Sequence, residues 1–277
     1  MRFSIVTPCF RGGRWLKLCL ASVADQGVDL EHIIQDAGSD DGTLDWLLKD
    51  TRAKVFVEPD NGMYDAVNRG FRRATGDILA YLNCDEQYLP GALAGVGEYF
   101  AANPDVEVVF AGAVIVDAEG RYVCHRHALP PGRLHSQISG NLSFLTCATF
   151  FRRSIIEQRG LFFDPKYRDV GDAEWALRLL DAGVRMGVLR RFTTAFADTG
   201  KNMSLGENAQ RERRQLAEGA PAVARAMKWA VILAYRMRKL AAGLYFQEPF
   251  DYAIYTHASP DKRVTFHVAR PTARWRR

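Results

Sequence analysis

The sequence has no run of the roughly 18–20 uninterrupted apolar residues that a membrane-spanning helix needs. Its best C-terminal run, Trp229 to Tyr235, is closed off by Lys228 and Arg236, so the chain is expected to lie on a membrane at most and not to cross one. No basic-then-apolar targeting segment precedes the first apolar run. Cys9, Cys19, Cys84, Cys124 and Cys147 are an odd number without a CxxC pair, which speaks against a disulfide scaffold and fits a reducing, cytoplasmic setting. Also missing are a GxGxxG after the first strand-like run and a GxxxxGK[ST] anywhere, so neither a Rossmann dinucleotide site nor a P-loop is expected. The six histidines fall in neither HxxxH nor HxxE spacing, and His125, His127 and His135 read as solvated loop residues. No internal repeat is visible.

What remains is an ordinary globular composition. The 277 residues are 48% hydrophobic and 25% charged, enough for a packed core in one large domain or two small ones. The formal net charge of +5 is unevenly spread: 15 Lys+Arg stand against 6 Asp+Glu from Lys201 onward, leaving −4 for the first 200 residues and +9 for the last 77. Such asymmetry points the tail toward an anionic partner, a membrane surface or a nucleic acid.

The first 85 or so residues alternate between two periodicities. RFSIVTPCF is a β-branched and aromatic run, and residues 14–25 then place Trp15, Leu18, Cys19 and Val23 at helical spacing. Strand-like runs at His32–Gln35, Ala53–Val57 and Asp77–Leu82 are separated by helix-like segments at 44–49 and around Ala66, Val67 and Phe71. Strand and helix in alternation predict βαβ units: an α/β fold with a doubly wound, mostly parallel sheet flanked by helices. Further on, 106–111 reads as a strand, 114–124 as a hairpin-like stretch, 146–152 and 188–197 as strands, and 173–181 as a helix closed by Gly183. After Ser204 the chain turns basic and helix-prone. This predicts a domain over 1–204 and a basic helical C-terminal extension over 205–277.

Each early strand is followed by a loop of small and acidic residues: Thr7-Pro8, Asp36 to Thr43, Asp60-Asn61-Gly62, and Asn83 to Glu86. In a parallel sheet these loops share one edge, where ligands bind. Acidic loops suit a divalent cation that carries the positive charge toward a phosphorylated ligand.

The segments TPCFRG (7–12), DAGSDDGT (36–43), EPDNGMYDAVNRGFRRATGD (58–77), LNCDE (82–86), TFFRRSIIEQRGLFFD (149–164) and GDAEWALRL (171–179) follow one another in this order. The set resembles the inverting nucleotide-sugar glycosyltransferases of family 2, which have the GT-A fold, and among them the bacterial exopolysaccharide, capsule and lipopolysaccharide enzymes. The resemblance implies transfer of a sugar from a nucleoside diphosphate donor, a UDP-sugar, to a hydroxyl of a lipid-linked or growing surface-glycan acceptor. It also implies inversion at the anomeric carbon and Mn2+ or Mg2+ as cofactor.

On the matching positions, Asp36 is implied as the acceptor for the N–H of a uridine-type base, since a carboxylate only accepts; it serves equally to open an Asx turn. Thr7, Pro8, Phe10, Asn61, Gly62, Asn83 and Cys84 are implied in the nucleotide pocket. Asp85 is implied as the principal metal ligand with Asn83 or Glu86 beside it, Asn83 standing where the family pattern has its first Asp. Asp172 is implied as the base that takes the acceptor's proton, with Glu174 as runner-up; Asp172 also has the chemistry of a helix N-cap. Tyr64 and Asn68 suit either the floor of the nucleotide site or a satisfied helix face. Two other classes would use the same sheet. A nucleotidyltransferase would want a Gly-rich, cationic first loop, and a catalytically silent nucleotide-sugar-binding protein would tolerate Asn83.

In the tail, projected as one helix over 222–246, Arg225, Lys228, Arg236 and Lys239 fall within an arc of about 80°. That basic stripe is expected to face an anionic leaflet or, as the alternative, solvent, with the helix packed on its own domain. The expected partners are the donor, the acceptor, an anionic membrane surface on the inner face of the cytoplasmic membrane, and a second copy of the chain. Nucleic acid is not expected.

Overall fold

The computed structural model describes residues 1–139, 142–200 and 206–275. The first half runs β1 (Phe3–Cys9), α1 (Gly13–Ala24), β2 (Leu30–Asp36), α2 (Thr43–Leu47), β3 (Lys54–Val57), α3 (Met63–Arg73) and β4 (Ile78–Tyr81). Every residue of β1 is buried, as befits a parallel strand covered on both faces. It lies between β2 and β4, with Ile5 in register with His32 and Ala80, and β3 extends the sheet beyond β2. The carboxyl ends of all four parallel strands therefore share one edge. Helix α3 lies so close on β1 that a Cβ at Gly70 would run into Val6.

The second half runs β5 (Glu86–Tyr88), α4 (Ala92–Ala102), β6 (Val108–Val116), β7 (Tyr122–Arg126), α5 (Arg133–Ile138), a 3-10 turn (Thr146–Ala148), β8 (Thr149–Arg152), α6 (Ser154–Glu157), α7 (Gly171–Asp181) and β9 (Met186–Ala197). It completes one sheet of order β3-β2-β1-β4-β8-β6-β9-β5, with β7 folded back on β6. Antiparallel β8 joins β4 to β6, and the long parallel ladder of β6 with β9 makes most of the paired residues parallel.

The sheet separates two cores. Val6, Tyr64, Phe71, Phe110, Phe151 and Trp175 fill one, and Phe3, Val23, Leu93, Phe100 and Phe150 fill the other. Each such side chain contributes about 1.5–3 kcal/mol by leaving water.

Several expectations are corrected. Strand β6 runs unbroken from Val108 to Val116, starting two residues later than expected and joining the two predicted runs, because Gly112 and the residues around it are all buried against β9. Residues 146–148 form a 3-10 turn before a shorter strand. His125 and His135 are buried, on β7 and α5, and His127 stacks on Phe192 at 4.8 Å, so none is a solvated loop residue.

The C-terminal extension begins with α8 (Glu207–Glu218), α9 (Ala222–Ala226) and α10 (Lys228–Ala241), but it ends in an antiparallel hairpin, β10 (Phe250–Thr256) and β11 (Ser259–Val268). The reason is a period of two: Tyr252 and Ile254 point inward onto Val114, Val116, Ala195 and Ala197 while Asp251 stays outside. The boundary near residue 205 lies in 201–205, outside the described residues. Beyond it, Ala209 and Leu216 of α8 pack on Val170, Ala173 and Leu177, so the core is continuous with α7. Among the described residues, no helix is long and apolar enough to cross a membrane.

Candidate active site

The loops after β1 and β2 are stitched into one platform. Asp36, closing β2, is wholly buried. Its Oδ1 accepts the N–H groups of Gly38 at 2.9 Å and Ser39 at 2.7 Å, and its Oδ2 accepts the Ser39 hydroxyl at 2.7 Å. These contacts are those of the turn-opening reading of Asp36. Three bonds build the turn, and of the roughly four acceptor positions on a carboxylate one remains. Ser39 Oγ in turn accepts the N–H of Arg11 at 2.7 Å, Thr43 Oγ1 accepts that of Gly13 at 2.9 Å, and Arg11 pairs with Asp40 at 2.6 Å. These bonds hold Arg11 at φ 55°, a left-handed conformation uncommon outside glycine.

The other residues expected in the nucleotide pocket divide. Thr7 is buried, its hydroxyl bonded to His32 Nε2 at 2.8 Å, so its side chain belongs to the interior. The Pro8 carbonyl accepts the Cys84 thiol at 3.2 Å, tying the β1 and β4 loops together. Phe10 is 58% exposed at the platform's rim. Gly62, at φ 118°, donates to Asp60 at 2.8 Å, and Asn61 N–H donates to Asp65 at 3.0 Å, so this loop is set by its own carboxylates. Tyr64 and Asn68 point inward as a satisfied helix face. Asn68 exchanges bonds of 2.8 and 3.0 Å with the backbone of Phe163, and Tyr64 stacks on the Phe163 ring at 5.0 Å.

At the β4 loop the two acidic residues part ways. Glu86 is buried, and its Oε2 accepts the N–H of Asn83 at 2.7 Å; burial and neighbouring Asp85 push it up to about 8. Glu86 therefore closes the loop from within and is not presented as a ligand, a correction to its expected place beside the metal. Asp85 is half-buried, burial raises its carboxyl, and its only described donor is its own backbone N–H. Among the described residues, no three His, Cys, Asp or Glu side chains converge on a metal position. A half-buried carboxylate with no countercharge among the described residues fits a hard cation that takes its other oxygens from water and phosphate.

Asp172 sits in the first turn of α7, inside the helix and not at its N-cap, which is Val170. Its Oδ1 accepts the Ala173 N–H at 2.8 Å, and its own N–H donates to the Tyr64 hydroxyl at 3.1 Å. Burial raises its carboxyl to about 6. Tyr64 reaches it only because residue 171 is glycine: a Cβ there would meet Tyr64 Cε2 at 2.7 Å. Glu174 is held bidentately by Arg178, at 2.6 and 2.8 Å, so the runner-up carboxylate is already paired. The helix start is instead served by Glu212 of α8, whose carboxylate accepts the N–H groups of Arg168 at 2.8 Å and of Asp169 and Val170 at 3.0 Å. Beside it opens a cavity of about 750 Å³ lined by Gly62, Met63, Lys166, Arg168, Asp169 and Glu212 among others. Glu212, Lys166 and Arg168 had no signal in the sequence, since no motif joins α8 to a loop some 40 residues earlier.

Residues 4–160 match the family described as Glycosyl transferase family 2. A "PGL/p-HBAD biosynthesis glycosyltransferase" of Mycobacterium bovis is 32% identical over 127 residues, 43% of this chain and 50% of that one. The chain spans about half the length of the curated relatives it matches first. Among solved structures, S. aureus TarS 1-349 in complex with UDP-GlcNAc aligns with a TM-score of 0.59 at 16% identity, covering 74% of this chain and 61% of that one. The mannosyltransferase PcManGT from Pyrobaculum calidifontis, in complex with GDP-Man and Mn2+, aligns with a TM-score of 0.56 at 19% identity, covering 76% and 60%. At these identities the likeness shows the fold, a large, mostly parallel curled sheet flanked by helices. With more than half of its residues matched, the chain belongs to glycosyl transferase family 2.

Proposed function

We propose that the protein transfers a sugar from a nucleoside diphosphate donor, a UDP-sugar, to a hydroxyl of a lipid-linked or growing surface-glycan acceptor, with inversion. The observation that carries this reading is Asp172: a carboxyl whose burial puts it at about 6, in the first turn of a helix whose preceding loop, through Lys166, Arg168 and Asp169, lines a large cavity. A base with its pKa just below the working pH is ionised yet still basic enough to take a proton. In this reading Asp172 accepts the acceptor hydroxyl's proton as that oxygen attacks the anomeric carbon, opposite the departing diphosphate. Tyr64 and Glu212 hold the helix start so that the carboxylate does not turn away.

On the donor side, the stitched loops of Asp36, Ser39, Arg11 and Gly62 form the nucleotide platform, with the backbone of Thr7 and Pro8 beneath and Phe10, Asn61, Asn83 and Cys84 around it. Asp85 is the residue to hold Mn2+ or Mg2+, which when bound supplies positive charge to the leaving diphosphate. TarS with UDP-GlcNAc supports the uridine donor, and PcManGT with GDP-Man and Mn2+ supports the cation and sets the guanosine donor to be tested beside it. The test is a panel of UDP-, GDP- and dTDP-sugars screened for thermal stabilisation with and without Mn2+. Stabilisation by one UDP-sugar that requires the cation supports the proposal, and stabilisation by none overturns it.

A further inference from the structure

Most of the exposed large hydrophobic residues among the described ones fall in one short segment, between Val223 and Phe246. The way α10 is seated explains this. Its inner side holds Tyr235, stacked on His135 of α5 at 3.7 Å, and Lys239, which is buried with its ammonium 4.8 Å from the centre of the Tyr245 ring. The opposite side presents Trp229, Leu233, Met237 and Leu240, spaced by four, four and three residues and 48% to 66% exposed. The basic arc expected to face outward is thus broken, because Lys239 turns in. What faces out is an apolar stripe, with exposed Arg225, Lys228 and Arg236 around it, while Arg238 reaches back to the Pro130 carbonyl.

The charge around this stripe is of one sign. From Gly219 to Gln247 there are five Lys or Arg and no Asp or Glu. A second copy meeting this face through a two-fold axis would bring cation against cation over the whole patch. An anionic bilayer meets both chemistries at once: phosphates for the cations, and the headgroup–acyl boundary for an apolar helix face carrying a Trp.

We propose that the outward face of α9 and α10 docks the protein on an anionic lipid leaflet. Trp229, Leu233, Met237 and Leu240 enter the boundary layer while Arg225, Lys228 and Arg236 pair with lipid phosphates. The seating helix α5 also packs on α7, so docking holds the helix bearing Asp172 close to the lipid surface. Docking does not depend on sugar transfer, and its test needs no activity.

The test uses the full chain with sedimented vesicles of phosphatidylcholine alone or with about one-third phosphatidylglycerol. The expected result is at least tenfold more bound protein on the anionic vesicles, falling steeply with salt, roughly to background above 0.5 M. The double variant Leu233→Glu, Met237→Glu is expected to lose this binding with an unchanged circular dichroism spectrum and thermal midpoint, since both residues are exposed. Equal binding by the variant, or no preference of the wild type for anionic vesicles, overturns the proposal. So does a wild-type dimer in light scattering that the double variant converts to monomer, which would assign the stripe to a second copy.

Discussion

The carboxylate of Glu212 accepts the backbone N–H of Val170 at 3.0 Å, and through it the C-terminal extension caps the helix that bears Asp172. Two further N–H groups, of Arg168 and Asp169, end on the same carboxylate. Its cost is burial, yet these donors and the Asn208 amide outweigh that and hold Glu212 below the usual carboxylate range. A residue of the basic C-terminal segment therefore holds the backbone that leads into α7.

Glu212→Ala leaves three N–H groups without their acceptor and should destabilise the fold by about 2–3 kcal/mol. In a chain of this size that lowers the melting temperature by roughly 3–5 °C. Because Glu212 has a depressed pKa when folded, its contribution is present above the unfolded value and disappears as the pH falls through the folded one. The gap between wild type and variant should accordingly narrow in acid. Differential scanning calorimetry at neutral and acid pH checks both parts, and an unchanged melting temperature at neutral pH would refute the capping role.

Asp172→Asn should lower kcat by about 10²–10⁴-fold, the usual worth of a general base, while nucleotide affinity measured by calorimetry stays within about twofold. The wild-type pH profile has a definite sign. Burial raises the carboxyl to about 6, so kcat/KM should rise about tenfold per pH unit below that value, as the active carboxylate forms, and level off above it. A flat profile through this range, or an Asn variant with wild-type turnover, would move the base elsewhere.

The parallel half of the sheet was legible because β1, β2 and β3 are short and each is followed by its own helix, so the alternation survives in the sequence. Asp36 was legible as a residue but not in its role, since an Asx turn and a ligand contact use the same carboxylate. The hairpin of β10 and β11 was hidden by charge: Asp251, Asp261, Lys262 and Arg263 lie among its apolar positions and mask the period of two. Long-range partners were illegible in principle. Nothing local to Val170 specifies Glu212, and a helical wheel could not tell that Tyr235 and Lys239, not the aliphatic stripe, would face the protein.

Asp85→Ala should remove the cation dependence of nucleotide binding and leave the unliganded fold at least as stable, because it deletes a half-buried carboxyl whose ionisation burial opposes. For the wild type, nucleotide with Mn2+ at about 100 times its Kd should add about 2.7 kcal/mol, read as a rise in melting temperature that chelator abolishes. Glu86→Gln, in contrast, should perturb folding of the β4 loop more than the cation response, since Glu86 faces the Asn83 backbone. A chelator-insensitive rise in the wild type, or a cation response surviving in Asp85→Ala, would show that the metal is held elsewhere.

Gly171→Ala tests how closely the base and the core are joined. The added methyl would sit 2.7 Å from Cε2 and 2.9 Å from Cδ2 of Tyr64, a ring clamped against Phe163 and buried on all sides. Overpacking of this kind costs about 1–3 kcal/mol, and here it also pushes the Tyr64 hydroxyl away from the Asp172 N–H. The variant should therefore lose both stability and turnover, with donor affinity preserved because the platform around Asp36 and Ser39 is untouched. Tyr64→Phe separates the two effects, since it removes the hydroxyl without crowding: turnover should fall several-fold, with a loss of about 1 kcal/mol for the one N–H left without its acceptor. If Tyr64→Phe turned over normally while Gly171→Ala did not, the damage in the latter would come from packing alone and the hydroxyl would have no part in placing the base.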